Sequence, residues 1–185
     1  MAGPQYQKPG GGTNFLCLHG NPQWKKYFDG DDHSGLLVGV KYKLYRLSQN
    51  GVFSEANNGG NPLVDNPAAC AVCYVAGRST ILMVPARTQC PDGWTTEYAG
   101  YLASAYTDSA GINQHHYSSY ICLDEAPEVG SGGRNIDQAL IYVVEVGCGT
   151  LPCSEYINNR ELACVVCSKG RFPLPEFTGR VHGPS

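Results

Sequence analysis

Two Cys-x-x-Cys pairs are the residues of this chain best placed to do chemistry. The first pair is Cys70 and Cys73 in "CAVC", and the second is Cys164 and Cys167 in "CVVC". Such a pair serves as a redox dithiol, as half of a tetrahedral zinc site, or as part of a disulfide framework. Each chemistry needs a different setting, so the sequence around the pairs is what separates them.

The setting of both pairs favours disulfides over zinc or redox chemistry. Short zinc ribbons space their two pairs closely, whereas about ninety residues separate the pairs in this chain. A redox dithiol needs a thiolate at a helix N-terminus beside a βαβ pattern, and both pairs lie in stretches typical of strands. We therefore expect structural disulfides, each of which stabilises a fold by about 2–4 kcal/mol.

The composition indicates an extracellular, all-β protein held together by disulfides. The 185 residues include 23 Gly, 12 Tyr and 9 Cys, and 16% of them are charged. The net charge of −3 gives no electrostatic basis for binding nucleic acid, and no apolar run is long enough to span a bilayer. The N-terminal residues lack a signal-peptide pattern, so the extracellular prediction requires a precursor or a Met1 added to a mature chain.

The chain contains two copies of one unit. "NFLCLHGNP" (14–22) resembles "SYICLDEAP" (119–127), and "CAVCYVAG" (70–77) resembles "CVVCSKG" (164–170). Self-similarity of this kind indicates tandem structural repeats. We place the first repeat at 1–79, the second at 80–170 and an extended tail at 171–185.

The two copies are unequal in length. The second opens with residues 84–111, which include Cys90, and the first lacks any counterpart of this opening segment. Alternating apolar, β-branched and aromatic residues predict strands over 36–47, 96–106 and 139–146. We expect no helix of ordinary length.

The cysteine motifs and their surroundings resemble one known family. "CAVC", an apolar strand, "CPDGW" (90–94), "GY" (100–101) and the closing "CVVC" are similar to the C-terminal non-collagenous domain of type IV collagen. They resemble even more closely the related domains of invertebrate short-chain (spongin-type) collagens. The resemblance covers 14–169 and implies two tandem β-subdomains, related by a pseudo-twofold axis and stapled by disulfides, with the first one truncated at its start.

The resemblance also implies a cysteine pairing. Carried over to matching positions, the resemblance gives three disulfides, Cys17–Cys70, Cys90–Cys167 and Cys122–Cys164. It also implies a local disulfide, which falls to Cys148–Cys153, although the spacing of this pair differs from that of the family. Cys73 is left without a partner, and an odd cysteine in a secreted protein indicates an intermolecular bridge or a free thiol. Because "AVCYVA" is apolar, we expect Cys73 to be buried.

The sequence offers little material for a metal or catalytic site. Asp29, Asp31 and Asp32 are carboxylates in a glycine-bearing loop, which is suited to calcium but equally typical of an acidic surface turn. We find no motif of a nucleophile with its base, no phosphate-binding loop and no zinc-protease motif. We expect a protein that is not an enzyme and needs no cofactor.

Two functions fit these observations. The resemblance implies a self-assembling structural module of the extracellular matrix, a homo-oligomer with a trimer favoured, whose partners are its own copies, matrix proteins or glycans. The chain has no Gly-X-Y run, however, which favours an independent binder such as a secreted lectin. Aromatic, amide and carboxylate side chains in its loops are suited to sugars, namely Trp24, Tyr27, Asn57, Asn58, Asn61, Tyr106, Asp108, Asn113, Gln114 and Tyr117.

Overall fold

The fold is all-β, as the sequence predicts. The structure, a computed structural model, describes residues 1–4, 12–30, 35–105, 118–133 and 139–170. These residues form one short helix, α1 (Tyr45–Gln49), a 3₁₀ turn (Ala56–Asn58) and seven strands: β1 (Ala2–Pro4), β2 (Leu37–Tyr42), β3 (Arg78–Pro85), β4 (Thr95–Ser104), β5 (Ile121–Asp124), β6 (Ala139–Val143) and β7 (Ala163–Gly170). The predicted tail at 171–185 lies outside the described residues.

The strands form one mixed sheet in the order β1-β2-β6-β4-β7-β3, with β5 paired to β4. β2 and β6 are parallel, with Val40 opposite Ala139, and the other pairs are antiparallel. Because β2 belongs to the first half of the chain and β6 to the second, the two halves join within a single sheet. The predicted boundary between residues 79 and 80 falls inside β3.

The strand predicted over 36–47 ends earlier than the alternation indicates. β2 stops at Tyr42, and the chain then closes a helical turn in which Ser48 N donates to the Leu44 carbonyl at 2.9 Å. Leu44 is fully buried, whereas Arg46 on the turn is exposed. One buried apolar residue followed by exposed polar ones is better suited to a turn than to an extended strand. β4 confirms the second predicted strand, and β6 confirms the third up to Val143.

The main core draws on both halves of the chain. Its buried residues are Val40, Tyr42, Leu44, Phe53, Leu63 and Ala68 from the first half, with Ala103, Leu123, Ala139 and Ile141 from the second. A second cluster surrounds the buried Cys122–Cys164 disulfide. Since the halves share one core, neither forms its apolar interior alone, and the pseudo-twofold relation between them stays a prediction.

Polar contacts also fasten the first half to the second. The Tyr42 hydroxyl donates to the Glu128 carbonyl at 2.9 Å, and Ser54 N donates to the Glu125 carbonyl at 2.8 Å. The Asn58 amide bonds the Pro127 carbonyl and accepts from Val129 N, at 2.9 and 2.8 Å. No helix among the described residues is both long and apolar enough to cross a membrane.

Candidate functional site

The four disulfides are those that the family resemblance implies. Their Cα–Cα distances lie between 5.5 and 5.8 Å, within the range that a disulfide requires. β7 carries two of them, because Cys164 bonds to Cys122 on β5 and Cys167 bonds to Cys90 in the loop before β4. The cysteines therefore fix the sheet around β7.

Cys73 is the free thiol, as predicted, but it is exposed rather than buried. The segment 70–75 lies outside the sheet, and the side chains beside Cys73 face solvent, with Val72 87% and Tyr74 90% exposed. The apolar sequence "AVCYVA" suggested a core position, yet the described chain offers no neighbouring strand that would bury it. The prediction of a buried thiol is therefore wrong.

β3 is the edge strand at one end of the sheet. Among the described residues it pairs only with β7, with Leu82 opposite Cys167 and Val84 opposite Val165. Ile81 at its centre is 66% exposed and Leu82 is 40% exposed. An edge strand with apolar side chains in solvent is a site where another strand can pair.

The hydrogen bonds of β7 show which backbone groups of β3 remain open. Leu162 accepts from Leu102 N and Ala163 accepts from Ala86 N, both at 2.8 Å, so successive residues of this stretch face opposite neighbours. Ala86 N thus points toward β7, and the alternation turns the backbone groups of Ile81 and Met83 away from it. Pro85 shares this orientation and has no N–H to offer there.

The other end of the sheet is covered. β1 is three residues long, and Ala2 pairs with Gly39 on one side. On its other side Ala2 exchanges two backbone hydrogen bonds with Leu16, at 2.9 and 2.8 Å. Ala2 is buried, so β1 offers little surface to a partner. The two ends of the sheet differ in their capacity to extend it.

A polar network that the sequence analysis missed joins β3, β4 and β7. Arg78 Nη1 donates to Glu97 Oε1 at 3.0 Å and to Ser168 Oγ at 2.8 Å, and the Ser168 hydroxyl donates to Glu97. Ser168 is fully buried, so its hydroxyl is closed to a substrate and serves to hold the three strands in register. The only signal in the sequence was polar residues inside strand-like stretches.

Burial changes the titration of two tyrosines. Burial raises the pKa of Tyr42 to about 12, and the charges of Glu128 and Asp124 act in the same direction. Burial also raises the pKa of Tyr98, with smaller contributions from the negative charges of Asp124 and of Cys73 when it is ionised. The Cys73 thiol thus lies within electrostatic reach of Tyr98 on β4.

The Glu55 carboxylate accepts two hydrogen bonds from within the first half of the chain. The Ser48 hydroxyl and then the Leu63 N–H, at 3.1 Å, donate to this carboxylate and lower its pKa from the usual 4.5. The bonds tie α1 to the loop that follows it. This carboxylate therefore positions the first half of the chain rather than a ligand.

Five of the residues predicted to bind sugar lie among the described residues. The side-chain amides of Asn57 and Asn58 donate to the carbonyls of Ala126 and Pro127 at 2.9 Å and hold the 3₁₀ turn against 126–129, and the Asn61 amide donates to the Asn58 carbonyl at 2.8 Å. Trp24 and Tyr27 are 78% and 70% exposed. The remaining candidates lie outside the described residues, namely Tyr106, Asp108, Asn113, Gln114 and Tyr117.

The calcium prediction rests mainly on residues that the structure does not describe. Asp29 is exposed, whereas Asp31 and Asp32 lie outside the described residues. Within the described ranges, no group of three or more His, Cys, Asp or Glu side chains is arranged to hold a metal ion.

A groove of about 520 Å³ opens beside the start of β2. It is lined by Lys41, by residues 67–70 and by the glycine-rich 130–133. None of the described sugar-binding candidates lines it, and its polar edge is mostly backbone. The open edge of β3 and the exposed segment 70–75 are therefore the stronger candidates for a functional surface.

Comparison with known proteins does not place the chain in a family. No protein-family model matches it, and no solved structure matches it. The resemblance to collagen non-collagenous domains thus stays an expectation based on the residues given above.

Proposed function

We propose that this protein is a non-enzymatic extracellular protein, a self-assembling structural module of the matrix. The observation that carries this proposal is the open edge of β3, an eight-residue strand with exposed apolar side chains at its centre. An edge of this kind recruits another strand because its outward N–H and carbonyl groups lack partners in the sheet that the described residues form. The sheet's opposite end is short and covered, so assembly has one preferred surface.

Four disulfides in one chain support the extracellular setting. Such bridges form and persist in oxidising compartments and are rare in the cytosol. The resemblance to collagen non-collagenous domains supports a matrix role and a trimer.

Light scattering coupled to size exclusion tests the proposal. We expect the non-reduced protein to elute as an oligomer at micromolar concentration. Ile81→Lys places a charge on the open edge without removing a hydrogen bond to β7, and we expect this variant to be a monomer. A wild-type protein that is monomeric at micromolar concentration contradicts self-assembly.

A second candidate, a secreted lectin, is favoured by one observation. Trp24 and Tyr27 present their rings to solvent within three residues of each other, and exposed aromatic rings pack against the C–H faces of sugars. A glycan array on the non-reduced protein tests it. We expect Trp24→Ala to abolish any sugar binding, whereas Tyr120→Ala, at another exposed aromatic residue, leaves it intact.

A further inference from the structure

We propose that the open edge of β3 receives residues 70–75 of a second copy of this chain. This proposal rests on the self-assembly proposed above and names the two surfaces that meet. One copy provides a sheet edge on which no described residue pairs, and its neighbour provides a strand-like segment that lies outside the described sheet. Each copy carries both surfaces, so the same contact repeats from one copy to the next.

The chain already shows how β3 pairs with a segment of this type. On its inner side β3 pairs antiparallel with β7, whose "CVVCSKG" resembles "CAVCYVAG" at 70–77. Leu82 and Pro85 lie opposite Cys167 and Cys164 in that pairing. The segment 70–75 thus resembles a sequence that pairs with β3. Among the described residues it lies outside the sheet.

Exposure of the donor segment is the second argument. Val72 and Tyr74 are 87% and 90% exposed, although their residue types favour half-buried strand positions. No charged residue lies between Cys70 and Gly77, or between Ser79 and Pro85 on β3. Pairing the two segments therefore buries apolar side chains and opposes no like charges.

The backbone geometry of β3 limits where the donor binds. The N–H and carbonyl groups of Ile81 and Met83 face away from β7 and are the ones that a donor strand would bond. Pro85 lacks an N–H at the same orientation, so the ladder ends there. The acceptor is thus the stretch from Ser79 to Pro85.

The contact joins two different surfaces, so it is heterologous. Such contacts close into rings when the rotation allows, and a ring leaves no donor or acceptor unsatisfied. This agrees with the trimer expected from the resemblance. An alternative pairing of β3 with β3 of a second copy would be isologous and would leave 70–75 in solvent in every copy.

A mixing experiment separates these arrangements. Ile81→Pro disables the acceptor, since it removes an N–H that points away from β7 and spares the β3–β7 ladder. Val72→Asp disables the donor at an exposed position. Each variant alone should lose assembly, and an equal mixture should regain a dimer with one intact contact, as measured by light scattering. Ile157→Asp, at an exposed apolar residue outside both surfaces, is the control and should assemble normally.

The native Cys73 thiol gives an independent readout. In the assembly the neighbour's β3 covers it, so we expect protection from maleimide in the wild type and loss of that protection in Ile81→Pro. Ile81→Ala keeps the N–H, so its assembly should be weakened less than that of Ile81→Pro. A circular dichroism spectrum like that of the wild type shows that Ile81→Pro folds, and Ile81→Lys takes its place in the mixture if it does not.

The outcomes distinguish this inference from the function on which it rests. A wild-type monomer overturns both. An oligomer in which Val72→Asp still assembles, or in which the mixture stays monomeric, overturns the donor–acceptor contact and leaves self-assembly standing. Recovery of the dimer in the mixture, together with protection of Cys73, supports the contact.

Discussion

The two Cys-x-x-Cys segments have nearly the same sequence and opposite environments. Cys164 and Cys167 lie on β7, are fully buried, and each forms a disulfide. In the first segment Cys70 bonds to Cys17, Cys73 is free, and the residues around them are exposed. A short apolar sequence therefore does not determine its own burial.

The difference lies in the strands that flank each segment. β7 is enclosed by β3 and β4, which both come from residues 78–104. Residues 84–104 of this stretch belong to the segment for which the sequence predicts no counterpart in the first half. Among the described residues, no strand pairs with the segment 70–75, although its residues are suited to a sheet. The free thiol of Cys73 and its exposure go together with this lack of a neighbouring strand among the described residues.

The largest effect should come from removing one disulfide from each region. The closed loops are similar, with separations of 53 residues for Cys17–Cys70 and 42 for Cys122–Cys164, so chain entropy assigns each about 4 kcal/mol. Replacing Cys122 and Cys164 together by Ala also leaves a cavity in the core, which adds about 1–2 kcal/mol. We expect this double variant to be the less stable of the two in denaturant unfolding.

The matched variant replaces Cys17 and Cys70 by Ala. Its loss of stability should be that of the chain entropy alone, because the Cys17–Cys70 bridge lies at the surface. Equal losses in the two double variants would show that burial of the β7 region adds nothing. A larger loss of stability in the variant lacking Cys17 and Cys70 than in the variant lacking Cys122 and Cys164 would contradict the expected order.

A smaller effect should follow from cutting the contact that docks the first half. Tyr42→Phe removes the hydroxyl that bonds to the Glu128 carbonyl and should cost about 1 kcal/mol in the free energy of unfolding. The aromatic ring stays in the core, so no large cavity forms. A loss as large as that of a disulfide pair would mean that this one hydroxyl holds the halves together.

The same residue predicts how stability depends on alkaline pH. Its pKa is raised from 10 to about 12 in the folded state, so the unfolded chain ionises first. The contribution of neutral Tyr42 to the free energy of unfolding is therefore complete below pH 10 and is lost as the pH rises toward 12. Thermal unfolding across this window should show a steeper decline for the wild type than for Tyr42→Phe, and parallel declines would contradict the assignment.

At acid pH a weaker dependence should come from Glu55. Its pKa is lowered in the folded state by the Ser48 hydroxyl and the Leu63 N–H, so its contribution is present above the usual value of 4.5. The contribution is lost as the pH falls through the folded-state pKa. Glu55→Gln should flatten this part of the pH profile of the unfolding midpoint, and a profile unchanged from that of the wild type would contradict the assignment.

Residue patterns predicted the strands, and the family resemblance predicted the disulfide pairing, better than either predicted the environment of single side chains. Alternation of strand-forming residue types located β4 and β6, although burial itself does not alternate along β6, where Ala139, Leu140 and Ile141 are all buried. It failed after Tyr42, where burial of Leu44 starts a turn, and at Cys73, where an apolar sequence has no neighbouring strand. The sequence likewise did not predict that β3 is the open edge, because the strand that ends a sheet is determined by pairings between residues far apart in the chain.

The smallest effect on stability should come from replacing Cys73, and labelling of this thiol tests the contrast between the two Cys-x-x-Cys segments directly. Cys73→Ser should leave the free energy of unfolding within about 0.5 kcal/mol of the wild type, because an exposed side chain without a bridge contributes little to folding. Mass spectrometry after maleimide treatment of dissociated protein should find one label per chain, at Cys73, and none in the variant. A label on Cys164 or Cys167 would show that the β7 region opens as readily as the first segment, and the contrast between them would then be one of connectivity rather than of burial.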